Sequence, residues 1–293
     1  MELISVCSRS FSRHPLLRKE ILDIYPNVQF NDEGKRLVGD GLIHFLKDSS
    51  RAIIGLEILN RETLSKLKKL KVIGKYGVGL NNLDLKALEE FNIKLGHSPG
   101  VNRRSVSELV LGFSIDLLRN ITKNNKAWNP ETGRLLSNCT FGIIGCGNIG
   151  SDLANLLKPF GTKILVHDLR KIEGFTQVSL IDLLKNSDIV TLHVPLDEST
   201  FNLLSMAEFS LLKKNALLIN TSRGGIVNEK DLFSWLNENP LSRAAFDVFE
   251  EEPFNDSPLL TLPNFFTTSH IGGGTEESIL AMGRAAINGL KIL

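Results

Sequence analysis

The chain is short of nearly everything that would place it outside the ordinary globular proteins. Its three cysteines, Cys7, Cys139 and Cys146, are too few and too scattered for a disulfide framework or a paired Cys-x-x-Cys metal site. Its formal charge of +1 gives no reason to expect nucleic acid or an anionic membrane as the main partner. No stretch approaches the roughly 18 apolar residues of a membrane span, and MELISVCSRSFSRHPLLRKEIL lacks the basic-then-apolar layout of a signal peptide. No repeat is evident, and the histidines and cysteines show no metal-ligand spacing. These absences lead us to expect a soluble protein of the reducing cytoplasm, with no metal. At 293 residues there is room for two domains, each with its own core.

What is present begins with alternation. ELISVC, HPLLRKEILDIY, NVQF, GLIHFLKD, RAIIGL, RETLSKLKKL, KVIGKY, DLKALEEF and NIKLG read in turn as apolar strands and amphipathic helices. That rhythm predicts an open parallel sheet with helices on both faces. In RETLSKLKKL, Leu64, Leu67 and Leu70 recur at helical spacing, so its lysines read as a wet helix face. Pro99 and Gly100 interrupt the chain, and Asn102 is placed to cap a long helix, RRSVSELVLGFSIDLLRN. A polar connection follows, TKNNKAWNPETGRLLSN, with Trp128 placed to pin it.

Next comes CTFGIIGCGNIG, an apolar run turning into Gly145, Gly147 and Gly150. The pattern is G-x-G-x-x-G, in which the glycines allow a tight turn, a close pyrophosphate and a close helix, whose first N–H groups then face the phosphates. The helix that follows stops near Pro159 and Gly161, and KILVH forms a second strand ending at Asp168. A carboxylate roughly 20 residues past the glycines can accept from the adenosine ribose hydroxyls and repel a 2′-phosphate, which favours NAD over NADP. Arg170 and Lys171 just beyond it pull the other way.

Further strands are expected at DIVTLHV, NALLIN, RAAFDV and NFFTTS, and a last helix after Gly272, Gly273 and Gly274. Four strand ends carry polar side chains: His193 before Pro195; Arg223 before paired glycines; Asp247 with Glu250, Glu251 and Glu252; and His270 against glycines. A guanidinium can grip the carboxylate and carbonyl of a 2-oxo acid. Reducing that carbonyl requires a proton donor as hydride reaches carbon, and a carboxylate beside a histidine would keep it protonated and oriented. Spacing alone does not say which of the acids points inward.

Taken together, these blocks resemble the D-isomer-specific 2-hydroxyacid dehydrogenases over nearly the whole chain, most closely their short phosphoglycerate dehydrogenase-type members. KYGVGLNNLDLKAL is similar to that family's substrate loop, HSPGVNRRSVSELVLG to its linker helix, and LHVPLDESTFNLLSMAEFSLLKKNALLINTSRGGIVNEKDL to its long signature. The resemblance implies a flavodoxin-like substrate domain from residues 1–100 and 274–293, with a Rossmann domain at 101–273 inserted in it and a linker helix at 103–120. Arg223 would bind substrate, Glu252 would pair with the histidine, and His270 would donate and accept the proton. Val78 and Gly79 would hold the substrate carboxylate through their backbone, and Asp247 the nicotinamide carboxamide. His193, Pro195, Thr221 and Gly272 would line the nicotinamide pocket, and Thr200 would support that loop. Gly145, Gly147, Asn148, Ile149 and Gly150 would meet the pyrophosphate. Arg9, Arg13 and Lys75 are candidates for a substrate phosphate, which would make 3-phosphoglycerate and 3-phosphohydroxypyruvate the pair interconverted.

The family is usually dimeric through the linker helix and the arm after it; here the arm from Asn120 to Asn138 looks short. Ser107 and Gly273 stand where alanine is common. A formate or phosphite dehydrogenase on the same scaffold is a rival, although the formate branch would carry glutamine in place of Glu252. An NAD-sensing corepressor-like protein is a rival from a different class.

Overall fold

A computed structural model describes residues 2–122, 132–254 and 256–292. Trp128, and with it the middle of the expected arm, lies outside the described residues. The chain divides into two compact units, Met1–Asn102 with Thr275–Leu293, and Arg103–Gly274.

The first unit is a five-stranded parallel sheet of β1 (Ile4–Val6), β2 (Val28–Phe30), β3 (Arg51–Ile54), β4 (Val72–Lys75) and β5 (Lys94–Gly96). Their order is β2-β1-β3-β4-β5, the flavodoxin-like arrangement. Successive side chains go to opposite faces, and both faces are buried: Cys7, Ala52, Ile54 and Ile73 join one core, while Ile4, Val6, Ile53 and Val72 join another. The second core is completed by Met282, Ala286, Ile287 and Leu290 of the C-terminal helix Glu276–Gly289, capped by the Thr275 side chain. Gly96 and Gly289 let that helix lie on the sheet, because a Cβ on Gly96 would stand 2.2 Å from the Gly289 Cα.

Two local expectations are corrected. The segment expected as a helix through Leu70 is helical only over Arg61–Lys66; Leu67 and Leu70 remain buried in the turn that feeds β4, so burial, not helical geometry, explains the leucine spacing. Asn102 does not cap the long helix Arg103–Arg119: its Oδ1 is buried and has no hydrogen-bond partner.

The second unit is a seven-stranded parallel sheet of β6 (Thr140–Ile144), β7 (Lys163–His167), β8 (Thr176–Gln177), β9 (Ile189–Leu192), β10 (Leu217–Asn220), β11 (Arg243–Phe246) and β12 (Phe265–Thr267). The order β12-β11-β10-β9-β6-β7-β8 is doubly wound about β6 and β9, the Rossmann arrangement. Val190, Leu192, Leu218 and Phe246 face one core; Phe141, Ile143, Ile189 and Ile219 face the other, with Val110, Phe113 and Leu117 of the helix Arg103–Arg119. The alternation puts β6, β9 and β10 between two apolar layers, and their carboxyl ends run into the polar stretches singled out above.

The Gly96 contact is testable. Gly96→Ala should lose about 1–3 kcal/mol through overpacking against backbone. Gly41→Ala, on the helix Gly39–Leu46 where an added Cβ meets nothing within 4 Å, should gain roughly 0.5–1 kcal/mol. Denaturant titration of both variants checks the sign difference.

Candidate active site

The glycine turn is built by backbone contact. Gly145 has φ +89° and donates its N–H to the His167 carbonyl at 2.8 Å. A Cβ there would stand 2.6 Å from the His193 carbonyl oxygen, and one on Gly150 would stand 2.1 Å from that of Gly145. Gly147 is the N-cap of the helix Asn148–Leu157, and no side chain caps that end. A Cβ on Gly147 would meet only Arg170 Nη2 at 3.9 Å. The leading N–H groups of this ten-residue helix, from Asn148, Ile149 and Gly150, therefore have no side-chain acceptor, the arrangement a pyrophosphate requires.

Asp168 follows β7. Its Oδ2 accepts from the Cys146 N–H at 2.9 Å, and Oδ1 accepts from the Arg170 N–H at 2.9 Å. The Arg170 guanidinium spreads over both oxygens at 3.0 and 3.1 Å. Those side-chain bonds, against the opposing effect of burial, lower the carboxyl to about 2. Arg170 itself is exposed, so its bonds can exchange for ribose hydroxyls at little cost. Gln177 fixes the loop, donating to the carbonyls of Asp168 and Arg170 at 2.8 Å and accepting from the Ile172 N–H at 2.9 Å.

Two histidines in this unit differ in every relevant respect. His193, after β9, has Nε2 3.1 Å from Thr191 Oγ1, while its Nδ1 is buried with no partner. Burial drives its pKa down to about 3, so the ring is neutral at any ordinary pH. Thr221, at the neighbouring strand end after β10, also has a buried Oγ1 with no partner. Such atoms are expensive to leave unpaired. A polar ligand group such as a carboxamide is what this pair suits. The turn beside them is closed by Thr200, whose Oγ1 donates to the Pro195 carbonyl at 2.7 Å and accepts from the Asp197 N–H at 2.8 Å.

His270 is the opposite case. Its Nδ1 donates to Glu252 Oε2 at 2.7 Å, and Glu252 Oε1 accepts from the Phe249 N–H at 3.0 Å. The Glu252 hydrogen bond raises the His270 pKa, outweighing burial and the Arg223 charge, with the charges of Glu252 and Asp247 adding to it. Burial works to raise the Glu252 carboxyl, but His270, the Phe249 N–H and the Arg223 charge together bring it below its ordinary range. With Nδ1 committed to Glu252, Nε2 is the atom left to exchange a proton.

The supports of this set come mainly from three strand ends. Arg223 lies beyond β10, where Asn220 donates to its carbonyl at 2.9 Å. Gly224 packs so closely on the 249–250 peptide that a Cβ would stand 1.9 Å from the Phe249 carbonyl carbon, so the turns bearing Arg223 and Glu252 lie back to back. Glu229 Oε1 accepts from the Glu250 N–H at 2.7 Å and holds the second of those turns. Asp247 is buried, with Oδ1 accepting from Thr268 Oγ1 at 2.5 Å and the Ile271 N–H at 2.7 Å, and Oδ2 from the Gly272 N–H at 2.8 Å. Ser105 Oγ donates to the Gly272 carbonyl at 2.6 Å. The sequence reading gave Asp247 only a cofactor contact; the structure adds the work of holding the His270 loop.

Of the remaining residues singled out from sequence, Lys75 is buried at the end of β4, its Nζ bonded to the Gly55 carbonyl, and the Val78 carbonyl meets His97 Nε2 at 2.9 Å. Gly79 is half-buried in the same loop, and Arg9 is exposed on the helix Arg9–Arg13. Arg13 lies against Gly34. Among the described residues no group of three or more His, Cys, Asp or Glu could hold a metal ion, and no helix is long and apolar enough to cross a membrane. Glu229, Thr268 and Gln177 went unnoticed in the sequence. Glu229 follows the helix-capping Asn228, so it reads as an ordinary first-turn acid, and Gln177 sits in a two-residue strand too short to recognise.

The family described as D-isomer specific 2-hydroxyacid dehydrogenase, NAD binding domain, matches residues 112–272. The D-3-phosphoglycerate dehydrogenase of Methanocaldococcus jannaschii is 34% identical over 291 residues, covering 94% of this chain and 55% of that protein. The hydroxypyruvate reductase of Thermotoga maritima is 31% identical over 276 residues, covering 90% of this chain and 88% of that protein. The structure of NAD+-bound 3-phosphoglycerate dehydrogenase from Entamoeba histolytica has a TM-score of 0.84 at 27% identity, covering 98% of this chain and 93% of that one. The chain thus spans about half the length of the first of these relatives and most of the second.

The pair Glu252–His270 has a pH signature. A raised histidine contributes stability that is full below the unfolded value, roughly 6.5, and is lost as pH rises through the folded one. A lowered glutamate contributes stability that is present above its unfolded value, roughly 4.3, and is lost as pH falls through the folded one. The two overlap from weakly acidic to neutral pH. Imidazole NMR should show His270 titrating above the free-histidine range in the wild type and lower in Glu252→Gln; an unmoved midpoint would refute the coupling.

Proposed function

Because the chain belongs to the D-isomer-specific 2-hydroxyacid dehydrogenase family, we propose that it interconverts a D-2-hydroxy acid and its 2-oxo acid. The observation that carries this reading is the 2.7 Å bond from His270 to Glu252, with the Arg223 charge acting on both. NAD, when bound, supplies the hydride in one direction and takes it in the other. In reduction, Arg223 holds the acid's carboxylate and polarises the carbonyl with its planar fork. His270 gives the Nε2 proton to the carbonyl oxygen as negative charge develops there, and Glu252 steadies the imidazolium before transfer. In oxidation, the neutral ring takes that proton back from the hydroxyl. Reduction therefore weakens as pH rises through the His270 pKa, and oxidation gains.

The proposal assigns the cofactor's pyrophosphate to Gly145, Gly147, Asn148, Ile149 and Gly150, and its adenosine ribose to Asp168. His193, Pro195, Thr221, Asp247 and Gly272 serve the nicotinamide end, with Thr200 bracing their loop. The orphaned Nδ1 of His193 and Oγ1 of Thr221 support that assignment. Lys75, Val78 and Gly79 of the first unit are assigned to the acid. A cytoplasmic homodimer is the state that the family resemblance suggests, and light scattering checks the dimer.

An NADH-oxidation panel with glyoxylate, hydroxypyruvate and 3-phosphohydroxypyruvate tests the activity. His270→Ala should cut kcat by about 10²–10⁴ while NADH affinity, read by fluorescence titration, is unchanged. Wild-type turnover in that variant would remove His270 from the proton-transfer role.

A further inference from the structure

The turn that presents Glu252 is held by two carboxylates, and only one of them belongs to the pair that would exchange the proton. The Phe249 N–H ends on Glu252 Oε1 at 3.0 Å, and the next amide, that of Glu250, ends on Glu229 Oε1 at 2.7 Å. Glu229 is half-buried and opens the helix Glu229–Glu238, whose N-cap Asn228 accepts from the Asp231 N–H at 3.0 Å. That end of the helix is fixed at two points to a segment outside the site: the Asn228 N–H donates to the Leu204 carbonyl at 2.9 Å, and Asp231 Oδ2 accepts from the Met206 N–H at 3.0 Å. Glu229 thus reaches the Glu250 N–H from an anchored base. Burial raises its carboxyl and the charges of Glu250 and Glu252 raise it further, whereas the Glu250 N–H favours its ionised form.

We infer that Glu229 is a positioning residue for the acid–base pair: its bond to the Glu250 N–H fixes the turn that aims Glu252 at His270. The inference rests on the dehydrogenase reading and adds to it a residue that acts through Glu252. One Glu252 oxygen takes the Phe249 N–H and the other takes His270 Nδ1, so slack in the Phe249–Glu250 backbone draws one of its partners away from the other. A hydrogen bond weakens steeply with distance and angle, and a charged one has the most to lose, so a loosened turn deprives His270 of part of the interaction that favours its protonated form. Of the charges that act on that ring, Glu252, Asp247 and Arg223, only Glu252 lies on the turn that Glu229 holds.

Two substitutions separate reach from charge. Glu229→Asp keeps the charge, and an acid suits a first helical turn, but the carboxylate is withdrawn by one methylene. Glu229→Gln keeps an acceptor oxygen at the same reach and removes the charge. Imidazole NMR on the full chain should show the His270 midpoint lowered in Glu229→Asp by up to about one pH unit, a loss of about tenfold in protonated ring above both midpoints, and restored in Glu229→Gln. At such a pH, kcat for reduction of a 2-oxo acid should fall by the same factor in Glu229→Asp, while NADH affinity, read by fluorescence titration, stays at the wild-type value. Melting curves check that both variants are folded. An unmoved midpoint or kcat in Glu229→Asp, or a lowered midpoint in Glu229→Gln, overturns the inference and leaves the dehydrogenase reading intact. If the wild type turns over no acid, the dehydrogenase reading falls, and the two midpoints still decide whether Glu229 positions the Glu252–His270 pair.

Discussion

The arrangement of the candidate site depends on one buried carboxylate. Asp247 is only 1% exposed, and a charge so placed is tolerated because three donors of a single loop, Thr268, Ile271 and Gly272, converge on it. The same loop contains His270, whose φ of +54° is unfavourable for a residue with a side chain. Holding a residue in that region costs on the order of 1–2 kcal/mol, whereas hydrogen bonds to a charged group each contribute roughly 1.5–3 kcal/mol. Three such bonds outweigh the cost. The His270 N–H, bonded to the Asp247 carbonyl at 2.9 Å, adds a fourth tie. Asp247 therefore fixes the loop that carries His270.

Around that loop the two histidines are separated by environment alone. His193 has no carboxylate partner, so burial decides and the ring stays neutral. His270 is half-exposed and bonded to Glu252, so the hydrogen bond outweighs burial and its pKa is raised. A neutral imidazole can only orient or recognise, while a protonated one can donate. Glu252 in turn is held at one oxygen by the Phe249 N–H, and Glu229 holds the next N–H in the same turn. The charges of Glu250 and Glu252, after burial, raise the Glu229 carboxyl. The Glu252–His270 pair thus stands among carboxylates, and the Arg223 charge acts on both of its members.

What was legible in the sequence was mostly local. The glycine turn could be read because three glycines, an apolar run and an acid at the next strand end lie within one βαβ unit. Arg223, Glu252 and His270 could be nominated because each ends a recognisable strand, and the family resemblance chose Glu252 from among three consecutive acids. Less visible was anything set by packing between distant segments. Asn102 has the residue type and the position of a cap, yet its Oδ1 makes no bond. Leu67 and Leu70 keep helical spacing beyond the end of the helix, because a buried turn can satisfy the same periodicity. Glu229 reads as an ordinary surface acid, since its partner Glu250 lies 21 positions away in the chain.

The charges that act on His270 all belong to its own unit. The groups that would move a proton all belong to the 103–274 unit, and their protonation is governed by Glu252, Asp247 and Arg223. The charges at the carboxyl edge of the other sheet, Arg9, Glu57 and Lys75, belong to residues 1–102, and none of them is among the groups that shift His270.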